Sequence, residues 1–199
     1  MQLKECQAKL GQTDKQERTL IKLIGFRQGI DELLIEYGML KLTQKKYAEA
    51  RVILDKAVQA NQTSVIAHMT LGVACIHVKQ YDDARRSLSS ANILDPSNQA
   101  IWIYLCMIAL KVSPKTPTPD LQACLRECNK LQVEDESLIL ELAQKLFDSK
   151  FYRECLFVAR RIEALYNESN IAGDQYAMLM DLIASAEDDL KKEDHSPFE

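Results

Sequence analysis

At 199 residues, with 47% hydrophobic and 27% charged side chains, the chain is long enough for one compact domain or one short solenoid around a continuous core. A net charge of −4 and a pI of about 5.5, without a block of basic residues, argue against a nucleic-acid partner. The longest apolar run, Ile101 to Leu110, is far short of a membrane span, and the Met-Gln-Leu-Lys-Glu-Cys start has no apolar signal region, so a cytoplasmic protein is expected. Only 6 glycines and 5 prolines punctuate the chain, too few for a β-rich fold, while Leu, Ala, Lys, Glu and Gln favour helix. The expectation is an all-α protein.

In chain order, Met1 to Leu10 and Asp14 to Arg27 read as helices separated by Gly11. Leu20, Leu23 and Ile24 give the second an apolar edge, and residues 1–30 are expected to form an N-terminal cap or a degenerate repeat. A repeat of 34 residues follows. Tyr37-Gly38, Lys45-Lys46-Tyr47-Ala48-Glu49-Ala50, Leu54 and Ala57 return as Leu71-Gly72, Lys79-Gln80-Tyr81-Asp82-Asp83-Ala84, Leu88 and Ala91. Small residues at 38, 50, 72 and 84 let paired helices approach closely. Tyr47 and Tyr81 fill the space beside the interhelical turn, and Leu54, Ala57, Leu88 and Ala91 form helix faces that pack onward. Asp95-Pro96 ends the second unit, Pro96 suiting the first turn of the next helix and Asp95 its cap.

A 34-residue period with this content resembles the tetratricopeptide-repeat (TPR) family. The resemblance implies a superhelical solenoid of helix-turn-helix units, and it covers residues 31 to 167 as four repeats, 31–64, 65–98, 99–135 and 136–169. The third opens on Trp102, Leu105 and Cys106 and is then interrupted by Ser113-Pro114-Lys115-Thr116-Pro117-Thr118-Pro119-Asp120. Three prolines cannot lie inside a helix, so a loop is expected there, either stiff or a proline-rich recognition motif, with register regained at Leu121, Cys124, Cys128 and Leu131. The fourth repeats the pattern as Lys150-Phe151-Tyr152-Arg153-Glu154-Cys155, after Leu142, Ala143 and Leu146 and before Ala159 and Ile162. Tyr176, Leu179, Met180, Ile183 and Leu190 gather on one side of a helix that caps the array over 170–191. Residues 192–199 read as a polar tail.

Catalytic and metal-binding patterns are missing from the sequence. The three histidines, His68, His77 and His195, lack ligand spacing, and no phosphate loop, HExxH or GxSxG occurs. Of the six cysteines, Cys124 and Cys128 share a helix face without nearby partners for zinc, and buried thiols are the expectation. Carboxylates such as Glu187-Asp188-Asp189 fall on solvent faces. No enzyme activity, cofactor or metal is expected.

In the TPR family the first helix of each pair lines a concave groove. Carried over residue by residue, the resemblance assigns Glu32, Ile35, Met39, Leu42 and Thr43, then Ile66, Met69, Val73, Ile76 and His77, then Ala100, Ile103, Met107, Leu110 and Lys111 to that lining. The protein-binding positions among them are Ile35, Met39, Ile66, Met69, Val73, Ile76, Ile103, Met107 and Leu110. This aliphatic, methionine-bearing lining suits an apolar or amphipathic helix. Chaperone-binding members hold a C-terminal carboxylate with Lys, Asn and Arg, and the matching Ile35, Met39, Thr70, Ala100 and Tyr104 cannot. The expected partner is therefore a helical segment of another protein, in the manner of a scaffold or adaptor. The chain's own terminal helix or a second copy stands as the alternative occupant. Trp102-Ile103-Tyr104-Leu105 and the degenerate repeat up to Glu141 are also similar to the TPR region of cilia- and flagella-associated axonemal proteins. That similarity implies a permanent structural component of a ciliary assembly as the second reading.

Overall fold

The computed structural model describes residues 12, 14–22, 24, 30–169 and 174–194. The expected helix over Met1 to Leu10, its break at Gly11, Leu23 and Arg27, and the tail beyond residue 194 lie outside the described residues. Regular structure among the described residues is all helical. The chain divides into two compact units, Met1–Pro96 and Ser97–Glu199.

In the first unit, residues 14–22 are helical and precede α1 (Ile30–Thr43), α2 (Tyr47–Ala60), α3 (Val65–His77) and α4 (Tyr81–Leu94). Helix α1 packs on α2 and α3 on α4 as pairs, and α3 also packs on α1 and α2. The repeated small and aliphatic positions form the interior: Ala50, Leu54, Ala57, Ala84, Leu88 and Ala91 are all 0% exposed. Ala57 meets Ala67 of the next repeat in one cluster with Ile35. A Cβ on Gly72 would stand 2.6 Å from Leu88 Cγ, and one on Gly38 would overlap Leu54. Glycine at these positions is what permits the close helix pairing.

The turns within the α1/α2, α3/α4 and α7/α8 pairs share one geometry. Lys45, Lys79 and Lys150 adopt left-handed φ values of 61, 61 and 63°. At each, two backbone bonds close the preceding helix in a Schellman arrangement. The Lys45 and Lys46 N–H groups donate to Leu42 and Lys41, those of Lys79 and Gln80 to Ile76 and Cys75, and those of Lys150 and Phe151 to Phe147 and Leu146. The sequence signal is the lysine two residues before Tyr47, Tyr81 and Tyr152. Tyr47 is half-buried and stacks flat on His77, with ring centroids 4.1 Å apart and planes 7° apart.

The second unit holds α5 (Gln99–Val112), α6 (Pro119–Lys130), α7 (Glu136–Asp148), α8 (Tyr152–Ser169) and α9 (Asp174–Asp194). Its core joins Cys106 and Leu110 of α5, Leu121 and Leu125 of α6, Leu142 and Leu146 of α7, Cys155 and Ile162 of α8, and Leu179 and Ile183 of α9. Helix α9 packs on α7 and α8, covering the apolar face that this pair would otherwise present to water.

Two helix boundaries differ from expectation. Asp95 closes α4, its N–H donating to Ala91, and does not cap α5. Asn98 does so instead, accepting from the Ala100 N–H, because α5 starts after the turn that holds Pro96 rather than at it. The proline loop also stops earlier than Asp120. Pro119 is the first residue of α6, where it gives up no helical hydrogen bond, and Thr118 caps it by accepting from the Leu121 N–H.

Candidate functional site: an exposed aliphatic face on the first unit

Helix α1 presents Glu32, Glu36, Met39 and Thr43 to solvent, one stripe at helical spacing. Positions 34 residues later, on α3, give Ile66, Val73 and His77, of which Ile66 and His77 are exposed and Val73 half-buried, with Met69 and Ile76 half-buried beside them. Met39 is 47% and Ile66 54% exposed. No Asp, Glu, Lys or Arg interrupts α3, whose sequence is VIAHMTLGVACIH. The apolar strip is thus carried by α3, and α1 adds Met39 within a stripe that also holds Glu32 and Glu36.

Among the described residues, 14–22 stand beside this face. Glu17 accepts hydrogen bonds from Lys41 Nζ at 2.7 Å and Tyr37 Oη at 3.1 Å, and Gln44 donates to its other oxygen at 3.4 Å. Tyr37 and Lys41 lie one helical turn apart on another stripe of α1, and Gln44 follows in the turn after it. An open groove of ≈ 710 Å³ remains, with Lys15, Thr19 and Leu20 on one wall and Glu36, Met39 and Leu40 on the other. Sequence reasoning missed the Glu17–Lys41 contact. Its one signal was a lysine on an otherwise inward face of α1.

The other expected groove residues lie elsewhere. Ile35 is 8% exposed and packs inward with Ala57 and Ala67. Ile103, Met107 and Leu110 are corrected outright: at 1, 5 and 3% exposed they belong to the interior of the second unit. Helix α5 is apolar around most of its circumference from Ile101 to Leu110, and such a helix is buried on more than one side. Of the carboxylate-clamp positions, Ile35 is buried and Thr70 donates its hydroxyl to the carbonyls of Ile66 and Ala67.

The described cysteines are packing residues. Cys75, Cys106, Cys128 and Cys155 are buried and Cys124 half-buried. Burial pushes the Cys128 thiol up to about 11 and Cys155 up to about 12, which suppresses the reactive thiolate. Among the described residues, no group of three or more His, Cys, Asp or Glu could hold a metal ion. No helix there is long and apolar enough to cross a membrane.

Paired helices with close glycine contacts, a recurrent lysine turn and small-residue interiors define a helical repeat protein. Residues 41–105 match the tetratricopeptide repeat family model, and the fold is that of the TPR solenoid proteins. It is 27% identical over 110 residues to cilia- and flagella-associated protein 70 of Macaca fascicularis and of Homo sapiens, an overlap of 55% of this chain. It spans only about a tenth of the length of those curated relatives, the overlap being 10% of each. Its fold is similar to a thermophilic TPR protein of Thermus thermophilus (TM-score 0.66, 13% identity, 92% of this chain and 97% of that one). It is also similar to a tetratricopeptide repeat protein of Parabacteroides merdae (TM-score 0.62, 14% identity, 93% and 73%). A third likeness is to PilF of Pseudomonas aeruginosa (TM-score 0.62, 17% identity, 96% and 88%).

Proposed function

We propose that this protein is an interaction scaffold whose first unit takes an amphipathic helix of another protein on the face formed by Met39, Ile66, Met69, Val73 and Ile76. The TPR fold supports a protein-binding role in general. The observation that carries the specific reading is the exposure of Met39 and Ile66 with residues 14–22 docked alongside. An apolar strip left open to solvent and rimmed by polar residues marks an interaction surface. Methionine adapts its shape to a partner, and each anchor removed from water contributes about 1.5–3 kcal/mol before ordering costs. The groove positions of the second unit are not part of this surface.

The similarity to cilia- and flagella-associated protein 70 favours a second reading, a structural component of a ciliary assembly. The two readings differ in the lifetime of the complex rather than in the surface used. Affinity enrichment with quantitative mass spectrometry, comparing the intact chain with Ile66→Glu, tests the surface. Partners held there are lost from the variant. An unchanged partner set moves the site off this face. Light scattering across a concentration series separates a second copy from a foreign partner, a concentration-dependent dimer abolished by Ile66→Glu identifying the former.

A further inference from the structure

The loop that interrupts the third repeat contains a pattern unrelated to helix packing. Ser113-Pro114, Thr116-Pro117 and Thr118-Pro119 place a hydroxyl directly before proline three times in seven residues. The residue before proline is held in extended backbone, and Thr118 has φ −77° and ψ 154°. Protein kinases read such extended, accessible segments, and one class of serine/threonine kinase requires proline immediately after the acceptor. Pro114, Lys115, Thr116 and Pro117 are exposed, whereas Ser113 and Thr118 are half-buried. The Thr118 hydroxyl already caps α6, accepting from the Leu121 N–H at 3.2 Å, and Ser113 closes α5. Thr116 carries neither duty.

We propose that Thr116 is a phosphorylation site for a proline-directed serine/threonine kinase, and that the phosphate fixes the loop against the turn between α7 and α8. In the transfer, the Thr116 oxygen bonds to the γ-phosphorus of magnesium-bound ATP. The bond from that phosphorus to the diphosphate leaving group breaks, ADP departs, and the hydroxyl proton passes to the kinase. Lys115 and Pro117, the chain neighbours of Thr116, line a cavity that also carries basic side chains. Pro114, Lys115 and Pro117 line an open cavity of ≈ 740 Å³ together with Lys150 and Arg153. Asp148 and Glu154 share its wall, so the basic residues draw the phosphate to one side of the cavity rather than throughout it. A phosphate beside lysine and arginine forms charge-assisted hydrogen bonds that order a loop.

The test uses the full chain with a purified proline-directed kinase and magnesium-ATP, with sites located by tandem mass spectrometry and thermal unfolding measured before and after. The expected result is phosphate on Thr116, reduced to background in Thr116→Val and in Pro117→Ala, both of which retain the helical circular-dichroism spectrum. The phosphorylated chain melts higher than the unmodified one, and Lys150→Ala removes that increment while still accepting phosphate. Phosphate confined to Ser113 or Thr118, or incorporation indifferent to Pro117→Ala, overturns the site. An unchanged melting temperature, or an increment that survives Lys150→Ala, overturns the role given to the basic residues.

Discussion

Glu17 and Lys41 form an ion pair of 2.7 Å in which the lysine is 3% and the glutamate 22% exposed. Lys41 also reaches Glu49 at 2.9 Å. Burial works against the lysine charge, but the hydrogen bonds to Glu17 and Glu49 outweigh it and hold its pKa above the ordinary lysine value. The hydrogen bond from Lys41 is the main reason that Glu17 lies below the ordinary carboxylate value, Gln44 and Tyr37 adding to it against some desolvation. A depressed carboxylate contributes stability above its unfolded pKa and loses it as pH falls through the folded value. A raised lysine contributes below its unfolded pKa and loses it as pH rises through the folded one. Amide-exchange protection of residues 14–22 should therefore fall on acidification below the ordinary carboxylate value of 4.5, and again at strongly alkaline pH. Glu17→Gln should cost about 1–2 kcal/mol, while Lys41→Met, which removes the buried charge itself, should cost less. Equal protection at pH values on both sides of the carboxylate range would refute the contact.

The glycine contacts set a second expectation. Gly38→Ala and Gly72→Ala each push a Cβ into the branched end of the paired helix's leucine. Alanine is the better helix former by about 1 kcal/mol, so propensity alone predicts stabilisation. Overpacking of a filled interior costs about 1–3 kcal/mol and should win. Urea denaturation of the two variants decides the sign.

At Lys79 the backbone conformation, not the side chain, is under strain. Lys79→Gly should leave stability unchanged or raise it by up to about 1 kcal/mol, since glycine adopts positive φ freely. Lys79→Val should lower it, because a β-branched residue tolerates that region least. A thermal melt in which the glycine variant is the less stable of the two would contradict the turn geometry.

The stack of Tyr47 on His77 ties the turn of the first repeat to the end of α3. Tyr47→Leu keeps the apolar volume and removes the ring contact, at an expected cost of about 0.5–1.5 kcal/mol. His77→Leu should cost a similar amount and the double variant less than the sum, as a thermodynamic cycle would register.

Burial separates two substitutions that look alike in sequence. Leu110→Ala, at a position 3% exposed, should lose about 2–5 kcal/mol. Met39→Ala, at 47% exposure, should stay within about 0.5 kcal/mol of the parent. Similar losses at both positions would contradict the separation of core from face.

What the sequence made legible follows from periodicity. Gly38 with Gly72, Ala50 with Ala84 and Leu54 with Leu88 recur at fixed spacing because each fills the same contact, so the pairs and their interior were readable. The face was only partly so. A family position identifies the side of a helix but not how much of that side its neighbours cover. The sequence pattern of α1 and α3 resembles that of α5 at those positions, yet Ile103, Met107 and Leu110 are interior. The warning lay in the unbroken apolar run around α5. Caps escaped for a related reason: Asn98 and Thr118 were overshadowed by the prolines beside them, though a side-chain oxygen, not a proline ring, satisfies the open N–H groups. Lys41 on an inward face signalled a buried partner, but a pairing across 24 residues leaves no periodic trace that points to Glu17.

A photo-cross-linking residue placed at position 39, with a control at the 82% exposed Ile93, tests the central claim most directly. In the full chain, the account predicts cross-links from position 39 to a helical peptide of another protein, absent from position 93 and suppressed by Ile66→Glu. Cross-links from position 39 that reach only this chain's own residues, or partner cross-links from position 93 alone, would contradict it.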